Sequence, residues 1–387
     1  MGFAVFLLVV IGLLGTIHLY LWQRLVRDTV RSRRWRRIGG LALLAGLLLI
    51  LATVLAEPGL PRPVVVVLTW TGYLWLGLMF YLLIALLLLE LPVSAAALLL
   101  RRRERREPPV DPSRRRLLRQ GAAVAAGVAA ISIGGYGVSR AYRPPKVTRL
   151  AVPLARLDPR ADGLRVAVVS DIHVSPTWGA RFVERVVEVV NGLDADLITV
   201  VGDMTSSEVE MVRESVAPLR RLRSRYGAFF VTGNHEYYTG YQEWIDAAEE
   251  LGLRVLRNER VEIAHRGGAI DLAGVNDQQG TVHDDPPDYA AALGDRDPSR
   301  PVLLMAHQPV QVHEAARYGV DLQLSGHTHG GQVYPFDLLV RLQQPVVDGL
   351  AEVDGTLVYV TNGAGFWGPP MRVGADPEVT LLELRAR

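Results

Sequence analysis

The chain has 387 residues and a formal net charge of only +2, a balance that points to no polyanionic partner and carries no nucleic-acid-binding signal. It contains no cysteine, which excludes structural disulfides, thiolate metal sites and a cysteine nucleophile. Any metal must therefore be held by histidine, carboxylate and amide groups.

The first third reads as membrane. Residues 3–22 are nearly all apolar and long enough to cross a hydrocarbon core of about 30 Å. Further apolar runs cover 39–56 and 64–89, and a weaker Gly/Ala-rich run covers 121–138. Four such runs indicate a multi-pass anchor over residues 1–142 in the cell membrane rather than a cleaved signal peptide. The loop at 24–37 holds seven arginines against Asp28, the stretch 101–119 holds nine, and 57–63 holds only Arg62. The bias of arginine toward the cytoplasm places the two rich loops inside and 57–63 outside. A fourth crossing at 121–138 then puts the remainder of the chain on the extracytoplasmic side. Ser113–Arg119 before this run resembles a twin-arginine export signal, and it reads equally as positive-inside arginine. No small-x-small cleavage site follows, so the segment is expected to stay as an anchor. His18 and Glu90, within or at the edge of apolar runs, are expected at the membrane interface.

Residues 143–163 form a linker leading into a first edge strand, since Pro144, Pro145 and Pro153 prevent a continuous helix. From 164 to 387 short apolar runs alternate with helical patterns, an α/β arrangement. Leu164–Ser170 runs into Asp171-Ile172-His173, and Asp196–Val201 ends in Gly202-Asp203. Gly227–Thr232 ends in Gly233-Asn234-His235-Glu236, and Pro301–Ala306 ends in His307. Leu322–Ser325 ends in Gly326-His327-Thr328-His329, and Leu357–Thr361 ends in Asn362-Gly363. Residues 180–192 and 209–224 have helical spacing, which implies parallel pairing of the early strands. Ligand sites in such sheets sit at the carboxyl ends of strands, where five histidines and two aspartates are placed here.

These blocks, Asp171-x-His173, Gly202-Asp203, Gly233-Asn234-His235-Glu236, His307 and Gly326-His327-Thr328-His329, resemble the five ordered motifs of the calcineurin-like metallophosphoesterases. The Ser-Asp-Ile-His form, the His-Thr-His-Gly-Gly-Gln run and Pro377-Glu378-Val379 after Arg372 are similar to the membrane-associated bacterial phosphodiesterase-like branch. The resemblance covers residues 160–387. It implies a four-layer α/β/β/α sandwich following the transmembrane helices. It further implies two divalent ions (Mn, Fe or Zn), one held by Asp171, His173, Asp203 and His329, the other by Asp203, Asn234, His307 and His327. On that pattern Asp203 bridges, and His235 is a catalytic residue over the scissile phosphate rather than a ligand.

The chemistry agrees. Two cations about 3.5–4 Å apart neutralise phosphate charge and clamp the attacking and leaving oxygens. His235 is placed to hydrogen-bond a developing oxyanion or to protonate a leaving group, with an orienting role as its alternative. Glu236 is expected to fix a neighbouring histidine. Arg372 and Asn362 are offered to the substrate, Arg372 as a bidentate phosphate ligand. His283-Asp284-Asp285 is read as solvated loop and His313 as an ordinary helix residue. The expected activity is hydrolysis of phosphodiester or pyrophosphate bonds, on a substrate that is lipid-linked or lies at the envelope. A phosphomonoester or phosphoprotein phosphatase and a non-catalytic membrane sensor remain the alternatives. Oligomeric state is not legible.

Overall fold

The computed structural model describes residues 2–55, 60–104, 112–177 and 179–387. The chain divides into two compact units, Met1–Val138 with Gly368–Met371, and Ser139–Trp367 with Arg372–Arg387.

In the first unit, α1 (Gly2–Leu21) continues as a π-turn over Trp22–Arg27, followed by α2 (Arg33–Val54), α3 (Arg62–Glu104) and α4 (Pro112–Ala141). Four helical stretches, Leu8–Arg27, Arg33–Val54, Arg62–Glu90 and Arg116–Ala141, are long and apolar enough to cross a membrane. Leu14, Leu21, Ile50, Met79, Leu86 and Ala126 form the buried cluster among them. The arginine-rich stretches are more helical than expected. Arg33, Arg34, Arg36 and Arg37 lie in the first turns of α2, 101–104 prolong α3, and 112–119 open α4. Of the expected loops, 105–111 and 57–59 lie outside the described residues.

His18 and Glu90 have found partners that sequence did not reveal. The His18 ring is buried, with Nδ1 2.8 Å from the Leu14 carbonyl and Nε2 3.2 Å from the Trp75 indole nitrogen. Glu90 accepts from Arg24 at 2.5 Å and lies 3.5 Å from the Tyr20 hydroxyl.

The second unit alternates strands and helices: β1 (Lys146–Leu154), β2 (Leu164–Val169), α5 (Ala180–Asn191), β3 (Leu197–Val201), α6 (Val209–Val216), β4 (Ala228–Val231), α7 (Asn234–Thr239), α8 (Tyr241–Glu250) and β5 (Arg254–Val255). Then come β6 (Glu259–His265), β7 (Gly268–Gly274), α9 (Tyr289–Leu293), β8 (Val302–Met305), α10 (Val312–Ala315), β9 (Leu322–Ser325), α11 (Asp337–Val340), β10 (Gly349–Val353), β11 (Thr356–Val360) and β12 (Glu378–Ala386). The helical stretch expected at 209–224 is shorter: α6 stops at Val216, and a 3₁₀ turn carrying Pro218 completes it.

Two six-stranded sheets result, ordered β1-β12-β2-β3-β4-β5 and β10-β11-β9-β8-β7-β6. Strands β2 to β5 pair in parallel, as do β7, β8, β9 and β11. Strand alternation sorts the side chains into layers. Val166 and Val168 of β2 join Leu272, Leu303 and Leu324 of the opposite sheet in the core between the sheets. Ala167 and Val169 face the other way, against Phe182, Val186 and Val190 of α5 and Trp244 of α8. On the far side, Ala273, Val302 and Leu304 pack on Tyr289 and Leu293 of α9 and on Ala315 of α10. Helices, sheet, sheet and helices make the four layers that the resemblance implied. The strand ends between the outer helices open on one edge, and the polar side chains gather there.

Candidate metal centre

The loops that follow β2, β3, β4, β8 and β9 deliver Asp171, His173, Asp203, Asn234, His307, His327 and His329 to one place. Three overlapping groups of ligand atoms each fit within 4.8 Å: Asp171, His173 and His329; His173, Asp203 and His235; and Asp203, His307 and His327. The backbone is bent to achieve this. Asp171, His173, Asp203, His327 and His329 all have left-handed φ angles between 49° and 69°. Such conformations cost about 1–3 kcal/mol each in non-glycine residues and persist only where surrounding structure enforces them. Their concentration on the candidate ligands is itself a functional signature. Two glycines make room. At Gly202, a side chain would run into the His307 ring and the Gly233 backbone, and at Gly326 into Ser170 Oγ and Asp171 Oδ2.

Asp203 stands at the middle. Its Oδ2 lies 3.2 Å from His307 Nε2 and 3.6 Å from His173 Nε2, while its Oδ1 accepts the backbone amide of His235 at 2.9 Å. Asp171 Oδ1 lies 3.3 Å from His329 Nε2 and 3.8 Å from His173 Nε2. The two imidazole nitrogens of His173 and His329 face each other at 2.9 Å. His307 Nδ1 donates to the Val201 carbonyl at 2.8 Å, which turns Nε2 inward toward Asp203. That Nε2 and Asn234 Oδ1 are buried without a hydrogen-bond partner. Buried orphan acceptors on a converging nitrogen and oxygen set are what cations satisfy, and this mixture suits first-row divalent metals. The residues fit such ions.

Burial works against the charge on Asp171 and Asp203, yet the surrounding histidines hold both carboxylates below their usual range, His329 foremost for Asp171 and His307 for Asp203. Burial pushes His235 and His327 down to about 4, so both rings are neutral at neutral pH.

Three supports surround the cage. Glu236 does not hold a histidine as expected. Its carboxylate accepts the backbone amides of Gly233 at 2.7 Å, Asp203 at 3.0 Å and Thr205 at 3.3 Å, tying the β3 and β4 loops together. Burial, reinforced by the charge of Asp203, raises Glu236 to about 8. Ser206, not singled out from sequence, lies 2.8 Å from His173 Nδ1 and 3.4 Å from His235 Nδ1, and so links the two rings. Its only sequence signal is its position three residues after Asp203.

Arg372 departs from the substrate-facing role. It is 1% exposed, and its guanidinium donates to the carbonyls of His329, Asn362 and Gly365 and lies 3.0 Å from His329 Nδ1. Every direction of its fork is occupied by protein, because the loop from Asn362 to Gly365 turns its carbonyls inward.

A cavity of about 430 Å³ opens beside the cage, lined in part by Asp203, Asn234, His235, His327 and His329. The rest of its lining combines an apolar set, Tyr238, Phe336, Leu339, Val340 and Trp367, with Thr328, Gln343 and Gln344. Asn362 is not among the lining residues; its Oδ1 is buried beside Gly330. His313 is an exposed helix residue paired with Asp354 at 2.7 Å. His283 and Asp284 are exposed as expected, but Asp285 is engaged by Tyr237 and Arg257.

Residues 164–331 match the model of the Calcineurin-like phosphoesterase family. A "Transmembrane protein with metallophosphoesterase domain" of Bos taurus is 40% identical over 265 residues, 65% of this chain and 59% of that protein. An "Uncharacterized metallophosphoesterase" of Helicobacter pylori is 39% identical over 243 residues, 62% of this chain and 64% of that protein. One of Aquifex aeolicus is 32% identical over 233 residues, 59% of this chain and 88% of that protein. The chain belongs to the calcineurin-like metallophosphoesterases. It spans 59% of the length of the Bos taurus relative, so the match does not extend over that whole protein.

Proposed function

We propose that the chain is a membrane-anchored hydrolase of phosphodiester or pyrophosphate bonds, acting with two divalent ions on a substrate that has an apolar portion. The observation that carries the reading is the position of Asp203, whose Oδ2 faces both His173 and His307, at 3.6 and 3.2 Å. In this assignment Asp171, His173, Asp203 and His329 hold one ion, and Asp203, Asn234, His307 and His327 hold the second. Bound there, the ions would supply neutralisation of phosphate charge and a water acidic enough to attack near neutral pH.

The chain's own groups do the rest. Ser206 fixes the Nδ1 edges of His173 and His235, which turns the opposite edge of His235 toward the cavity. As a neutral ring, His235 contributes a hydrogen bond to a phosphoryl or leaving-group oxygen rather than a stored proton. Leu338 and Leu342, adjacent in the chain to the apolar lining residues of the cavity, are exposed. A lipid-linked phosphoester would place its charged part on the cage and its chain along these residues. The four apolar helices support a multi-pass anchor, and the arginine distribution supports an extracytoplasmic catalytic unit in the cell membrane.

The test is activity of the full chain in detergent with Mn²⁺ against an aryl phosphodiester and an aryl monophosphate. The diester is expected to turn over faster, and Asp203→Asn to reduce its turnover about 10³-fold, as loss of both ions would. An Asp203→Asn chain as active as wild type sinks the reading; preference for the monoester favours a phosphatase instead.

A further inference from the structure

The helical unit holds a second cavity, larger than the one at the cage. It encloses about 910 Å³ where the π-turn, the start of α2 and the first turns of α4 meet. Its lining is amphipathic. Arg31 and Arg116 supply cationic groups, Ser32 a hydroxyl, and Trp35, Ile38 and Leu117 an apolar side; no acidic residue lines it among the described residues. Trp35, Ile38 and Leu117 are exposed along it.

Several arginines near this cavity already have partners. Arg24 is bound to Asp28 and Glu90, Arg119 lies 3.5 Å from Asp28, and Arg36 donates to the carbonyls of Arg27 and Val30. These are occupied. Arg31 and Arg116 have no carboxylate partner among the described residues, and Arg116 Nη1 is buried with no hydrogen-bond partner. A buried guanidinium nitrogen without an acceptor is costly. An anion in the groove would remove that cost. The nearby carboxylate, Asp28, is already shared by two other arginines.

We propose that this groove binds one anionic phospholipid, its phosphate held by Arg31 and Arg116 and an acyl chain laid along Trp35, Ile38 and Leu117. Basic pockets between membrane helices recognise anionic headgroups in this way, and an interfacial tryptophan marks headgroup depth. Free phosphate would satisfy the arginines alone and leave the apolar side unused, so the lining selects the lipid. The inference rests on the reading that the four apolar helices lie in a membrane, and it is independent of the hydrolytic site.

The experiment uses the full chain in mild detergent with EDTA, carrying Asp203→Asn so that the metal centre contributes nothing. Native mass spectrometry follows retention of dioleoylphosphatidylglycerol against dioleoylphosphatidylcholine. One phosphatidylglycerol per chain is expected to be retained about tenfold more tightly than the neutral lipid. Arg31→Ala with Arg116→Ala should erase that preference, whereas Arg62→Ala, at the start of α3 and outside the groove, should leave it. A photoactivatable phosphatidylglycerol, labelled in its acyl chain and used on the chain with both arginines intact, should crosslink peptides containing Ile38 or Leu117. Equal retention of both lipids, an unchanged double variant, or crosslinks confined to other helices would overturn the proposal. Displacement of the lipid by millimolar inorganic phosphate would overturn the acyl-chain part. A chain that stays monodisperse without detergent would instead refute the membrane reading on which the groove depends.

Discussion

Arg372 and His329 are joined at two points: Nη1 donates to the His329 carbonyl at 2.8 Å, and Nη2 lies 3.0 Å from His329 Nδ1. The contact fixes both the backbone and the ring of a candidate ligand whose opposite nitrogen faces Asp171 at 3.3 Å. Burial lowers Arg372 to about 10, still well above neutral pH, so the guanidinium keeps its charge and all its donors.

Arg372→Ala should therefore act as a structural lesion. It would strand the carbonyls of Asn362, Gly365 and His329, at about 1–3 kcal/mol per unsatisfied buried group. For a unit of this size the melting temperature should fall by about 10 °C. Arg372→Lys keeps the charge but not the fork, and should weaken metal binding about 10–100-fold with a smaller thermal loss. A raised KM with unchanged melting temperature in both variants would return Arg372 to the substrate.

Gly326→Ala tests the cage without removing any ligand. The added methyl would overlap Ser170 Oγ and Asp171 Oδ2. Asp171 also accepts the His327 amide through both oxygens at 3.0 and 3.1 Å, so its displacement disturbs two candidate ligands together. Metal content after gel filtration should drop below one ion per chain while the circular dichroism stays native. Full metal content in this variant would show that Asp171 is not a ligand.

The strand ends were the legible part of this site, because a candidate ligand that follows a buried strand leaves an apolar run stopping at a polar residue. Asp171, Asp203, His307 and His327 are of this kind. What was not legible depends on contacts far apart in sequence. Arg372 reads as an exposed cation until the carbonyls of residues 362–365 turn toward it. Glu236 reads as a partner for a histidine because of its neighbours in the chain, whereas folding brings it the amides of Asp203 and Thr205 from another loop. The same holds for the fold. The parallel strands separated by helices announce themselves by periodicity, but the pairing of β1 with β12, some 230 residues apart, has no local signal. The apolar cavity residues at Phe336–Val340 carry no comparable signal, since so short a helix shows little periodicity.

Ser206→Ala removes the hydroxyl that lies between the Nδ1 atoms of His173 and His235. Loss of such an orienting bond to a metal-ligating ring should reduce metal affinity or turnover about 10–100-fold. Ser206→Thr, which keeps the hydroxyl, should recover most of it. If alanine and threonine behave alike, steric fit rather than the hydrogen bond is what matters there.

The apolar lining predicts a split between substrates. Leu339→Asp and Phe336→Ser should raise KM for a phosphodiester carrying a long acyl or prenyl chain by about tenfold, the effect of losing one well-buried apolar contact. Hydrolysis of a short, soluble aryl diester should change little, because it has no long chain to lay against these residues. Equal losses on both substrates would place these residues in the general integrity of the pocket.

Acid should unfold the metal-stripped chain earlier than an ordinary carboxylate titration would. The folded pKa values of His235 and His327, about 4, lie below the unfolded value of about 6.5 because burial disfavours the charged rings. Between pH 6.5 and 4 the unfolded chain takes up protons that the folded chain refuses, so stability must fall as pH falls through that window. Below pH 4 both states are protonated and these two residues add nothing further. The full linkage is about 3 kcal/mol per residue, and partial exposure of both rings brings it nearer 2. Glu236, raised to about 8, has the opposite sign and offsets part of the loss down to about pH 4.5, whereas His307, held above its usual value by Asp203 against the effect of burial, makes its contribution above pH 6.5 and is constant within this window. Asp171 and Asp203, whose pKa values are depressed, contribute their losses only at still lower pH. Melting curves in EDTA should thus show a decline from pH 6.5 to 4, and His327→Gln should flatten it. A pH-independent melting temperature across that range, or a steeper decline in His327→Gln, would contradict the assignment of this ring as buried and neutral.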